Sequence, residues 1–73
     1  MTQNTNRDRT AENIAALLME ADDYLEAGDV ETAREYLRTA TYAYVKVEDE
    51  TLRMNLARWQ AAVADRVATA LGY

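Results

Sequence analysis

The chain is predicted to be all-α, an antiparallel three-helix bundle, on three observations. Proline is absent and glycine occurs only at positions 28 and 72, so few residues interrupt a helix except at its corners. Apolar residues recur every three or four positions in three separate runs, the spacing of a helix with one oily side. Strong helix formers (Ala, Leu, Glu, Arg, Met) dominate, while the Asn-Gly and Asp-Gly pairs of tight β-hairpins are missing.

The first helix is expected from about residue 11 to residue 27. Ile14, Leu17, Leu18, Ala21, Tyr24 and Leu25 make its apolar stripe. Thr10 is the expected N-cap, with Glu12 in the first turn. Gly28 can adopt the left-handed conformation that stops a helix, and Asp29 can cap the next. The result is a tight corner between antiparallel helices.

The second helix is expected from Val30 to about Glu48, with Val30, Ala33, Leu37, Ala40, Tyr44 and Val47 in register. Residues 41–47 are rich in β-branched and aromatic side chains. A strand there would have no partner, so helix is the reading, fraying after Val45. Asp49 is the expected cap of a third helix. That helix places Leu52, Leu56, Trp59, Val63, Val67 and Ala70 on one face until Gly72 ends it.

Seventy-three residues make one small domain, and a chain of this size hides only about 60% of its unfolded surface. Residues 10–73 form that domain, after a polar, disordered arm over residues 1–9. Cysteine and histidine are absent, which excludes disulfides and the usual zinc or haem ligands. No cofactor is expected. The net charge of −5 and pI near 4.5 repel nucleic acid and anionic membrane and suit a basic partner. The polar N-terminus predicts neither signal peptide nor membrane span, hence a cytoplasmic protein.

The first hairpin resembles one tetratricopeptide repeat. The matching residues are Leu17, Ala21, Tyr24, the Gly28-Asp29 turn, Ala33, Leu37 and Ala40. Glu20 departs from the motif's usual leucine, and Val45 from its terminating proline. A repeat-like hairpin capped by one helix also resembles microtubule-interacting and trafficking domains, a likeness that extends to Leu52-Arg53 and Trp59. Both resemblances imply a module that binds other proteins through its helices.

Catalysis needs a nucleophile, a tuned acid or base, or a metal. Serine is absent alongside cysteine and histidine, and no glycine-rich phosphate loop occurs. The carboxylates Asp22, Asp23 and Glu26 fall opposite the first stripe, in open water. Late in a helix, negative charge opposes the dipole, so this cluster is a candidate contact for a basic protein. On the third helix Met54, Ala57, Ala61, Ala64 and Ala68 sit roughly opposite the core face. Their spacing suits a close-packed seam, for a homodimer or a partner helix. Tyr42 and Met19 project away from their stripes, as interface residues do. Trp59 belongs to the core, and Arg66 to its edge, where its stem can pack and its head reach water.

The expected function is therefore a non-enzymatic protein–protein interaction module, binding a partner or itself through helix faces. The alternative is a small acidic inhibitor encoded by a phage or plasmid, acting on a host or defence complex in the manner of anti-CRISPR proteins. Its carboxylates concentrate near residues 20–31 and 48–50, a weak match to phosphate spacing. DNA binding fits least, because the seven arginines are scattered.

Overall fold

The computed structural model describes residues 3–72, with side chains from Arg9 onward. It has three helices in order: α1 (Gln3–Glu26), α2 (Val30–Tyr44) and α3 (Glu50–Leu71). All three pairs are in contact, α1 with α2 most extensively, as an up-down-up bundle requires. No strand occurs among the described residues.

The α1–α2 corner is set by two residues. Gly28 has φ +87°, a conformation that a side chain would strain. Its N–H donates to Leu25 O (3.1 Å) and the Asp29 N–H to Tyr24 O (2.8 Å), the paired bonds of a Schellman turn. Asp29 then caps α2, accepting from Thr32 N (3.2 Å) and from Thr32 Oγ1 (2.8 Å). Asp49 caps α3 in the same way through Leu52 N at 3.1 Å. Gly72, at φ +94°, closes it by donating to Ala68 O and Thr69 O.

The core is built from Ala11, Ile14, Leu18, Ala21, Ala33, Ala40, Val47, Leu56, Val63 and Val67. Fully burying a side chain such as Ile14 or Leu18 contributes about 1.5–3 kcal/mol. Ala21, Ala33 and Ala40 are wholly buried, and small side chains there permit close approach of α1 and α2. Beside them the Tyr24 and Tyr36 rings stack, centroids 5.4 Å apart and planes 13° from parallel. The neighbouring Tyr36, then partial burial, Glu20 and Asp29 raise the Tyr24 phenol above its ordinary pKa.

Four expectations need correction. Helix α1 begins at Gln3, so Thr10 lies within it rather than at its start. The arm expected over residues 1–9 meets the described residues only from Gln3 onward, where the backbone is helical; residues 1 and 2 lie outside them. Helix α2 stops at Tyr44, four residues early, as Lys46 N and Val47 N donate to Ala43 O and Tyr44 O in tight turns. Val47 is still buried, but it enters the core from the connection, where its carbonyl accepts from Arg53 Nη1 at 2.8 Å. Ala70 is exposed, at a shallow hollow that it lines with Leu25 of α1 instead of packing into the core.

Candidate functional site

Helix α3 divides its neighbours' faces between two edges. Trp59 and Arg66, seven residues apart, lie on the edge turned toward α1. Both reach Asp22: the Trp59 indole N–H donates to Asp22 Oδ2 at 3.4 Å, and the Arg66 guanidinium pairs with Asp22 Oδ1. The α1 pattern predicts Asp22 in open water opposite the stripe. Its side chain is only 30% exposed, because it stands at the margin of the stripe where long α3 side chains can reach it. Asp23 and Glu26 are exposed as expected.

The indole held this way lines a groove between α1 and α3. Ala11 and Ala15 of α1, with Leu52, Leu56 and Trp59 of α3, give it apolar walls, and Glu12 and Asn55 also line it. Its volume is about 440 Å³. The cause is a mismatch of size: Ala11 and Ala15 are too short to fill the space beside a half-buried indole. Sequence reasoning places Trp59 in the core and misses the groove. The signal is present in the small residues at positions 11 and 15, one turn apart and next to the Ile14–Leu18 stripe.

The alanine seam of α3 also sits elsewhere than expected. At about 100° per residue, Ala57 and Ala64 stand beside the core face, on the edge toward α2, rather than opposite it. With Gln60 and Ala61 they face Leu37, Thr41 and Tyr44 across a hollow of about 310 Å³. Ala57 and Ala68 are half-buried, Ala61 and Ala64 exposed. Met54 is 54% exposed and Tyr42 73% exposed, so both project as expected. The structure does not gather the expected partner-binding residues into one surface. Asp22, Asp23 and Glu26 belong to α1, Tyr42 to the outer side of α2, and the seam to α3.

Charge is segregated along the chain. Between residues 10 and 33 lie seven carboxylates and no basic side chain. Among the described residues no three acidic side chains converge as a metal site, and no helix is long and apolar enough to cross a membrane. Comparison with family models, with curated proteins and with solved structures returned no match.

Proposed function

We propose that the chain is a non-enzymatic protein-binding module that takes an apolar, basic-flanked segment of a partner into the α1–α3 groove. The observation that carries this reading is Trp59. Its N–H is satisfied by Asp22, so the ring is positioned by the fold, while the groove it lines stays apolar and open. A fixed, half-buried tryptophan beside a hollow is the usual anchor of a protein interface. Glu12 at the groove, the acidic run through residue 31 and the net charge of −5 favour Lys or Arg around the inserted apolar side chain. The inhibitor reading draws on the same acidity, but Asp22 is neutralised internally by Arg66, which removes one carboxylate from the cluster at residues 20–31.

The test is a titration of the full chain with an amphipathic helical peptide of leucine and lysine, read by Trp59 emission. Trp59 is the only tryptophan, so the signal is local. A saturable change, weakened by Glu12→Lys and lost for the matching Leu/Glu peptide, supports the proposal. Equal response to both peptides, or none to either, contradicts it.

A further inference from the structure

The outward sides of α1 and α2 carry opposite charge around exposed apolar side chains. At about 100° per residue, Met19, Asp23 and Glu26 share the side of α1 turned away from α2. Arg34, Arg38 and Val45 share the side of α2 turned away from α1, with Tyr42 beside them. All seven are exposed. Met19 at 58%, Tyr42 at 73% and Val45 at 70% are large apolar groups left in water. Arg34 pairs with Glu31 of its own helix at 3.1 Å, and Arg38 has no ion pair among the described residues.

The heights of the two stripes also match. Tyr24 of α1 stacks on Tyr36 of α2, which sets those residues level. Counting from there along the antiparallel helices, Met19 is level with Thr41, Asp23 with Leu37 and Glu26 with Arg34. Apolar groups thus share one height, and carboxylates share another with arginines.

We infer that a second copy of this chain, set alongside in the same orientation, docks its α1 antiparallel against the outward side of α2. Glu26 of the second copy then meets Arg34, and its Asp23 meets Arg38. Its Met19 enters between Tyr42 and Val45, a thioether against an aromatic ring. Glu35 is turned about 100° away from Arg34, so it does not face these carboxylates. Charge decides which stripes meet. Two α1 stripes would set acid against acid and two α2 stripes arginine against arginine, whereas α1 against α2 pairs opposite signs. The contact is heterologous, so each end of a pair keeps one open stripe and further copies add in a row. Trp59 takes no part, because its groove opens toward α3.

Sedimentation equilibrium of the full chain over a concentration series tests this, at about 0.15 M salt, where the repulsion between acidic chains is largely screened. The average mass of the wild type climbs past that of a dimer without a plateau. Asp23→Arg and Arg38→Asp each place like charges in contact and weaken association roughly ten-fold. Mixing these two variants restores wild-type growth, because every facing pair is again of opposite sign. Both positions are exposed, and the recovery on mixing shows that each variant is folded. A wild type that stays monomeric at every concentration, or that stops at a dimer, overturns the proposal. So does association indifferent to either single change, or a mixture no stronger than its components. The peptide titration at Trp59 reads a different surface, and its failure leaves these outcomes unmoved.

Discussion

The two edges of α3 differ in how they meet their neighbours. On the α1 side, long side chains cross the gap, and Trp59 and Arg66 converge on one carboxylate, Asp22. On the α2 side stand Ala57, Ala61 and Ala64, with Gln60 as the polar exception. Both edges carry a hollow, but for opposite reasons. Beside α1, a large ring stands next to residues too small to fill the remaining space. Beside α2, the α3 side chains are themselves too short. A small bundle thus ties one edge helix to helix by directional contacts, while along Ala57–Ala64 the other relies on close approach, its Arg53 bond reaching only the connection at Val47. The first kind of edge can present a rigid feature to a partner, whereas the second can admit another helix.

The sharpest way to break this contrast is to remove the ring. Trp59→Ala should cost about 3 kcal/mol of folding stability, the low end for a large aromatic because the side chain is half-buried. Urea unfolding followed by circular dichroism measures it. A loss well under 1 kcal/mol would mean that the indole is decoration and not the support of the α1 edge.

A smaller effect is expected from the ion pair. Arg66 and Asp22 side chains are 47% and 30% exposed, so water screens their attraction. A double-mutant cycle with Asp22→Ala and Arg66→Ala should give a coupling of about 0.5 kcal/mol. Zero coupling would leave the Trp59 hydrogen bond and packing as what holds this edge.

The smallest effect belongs to the other side. Ala64→Ser, at a low protein concentration that keeps the chain monomeric, should change stability by no more than about 0.5 kcal/mol. A loss rivalling that of Trp59→Ala would erase the distinction between the edges.

Much of the fold is legible in the sequence because its signals are local. Gly28 with Asp29, Asp49, Gly72 and the Ile14–Leu18–Ala21 stripe each act within one or two turns, and each lies where its chemistry demands. The end of α2 is harder to read. Val47 keeps the helical spacing of the core in sequence, yet it is buried from a turn, and periodicity does not separate those two routes. The site is less legible still. Asp22 and Arg66 are 44 residues apart, and a single helix's pattern places Asp22 on the wet side because it contains no information about side chains arriving from α3. The same limit displaces the alanine seam: which flank of α3 faces α2 is decided by how the three helices pack.

The central claim is that the Trp59 groove is the binding surface. Amide-shift mapping by NMR, with the Leu/Lys peptide added to labelled full-length chain, tests it most directly. Perturbations should centre on Ala11, Ala15, Leu52, Leu56 and the Trp59 indole N–H, leaving Tyr42 and the outer face of α2 unmoved. Shifts confined to α2, or spread evenly over every acidic residue, would contradict it.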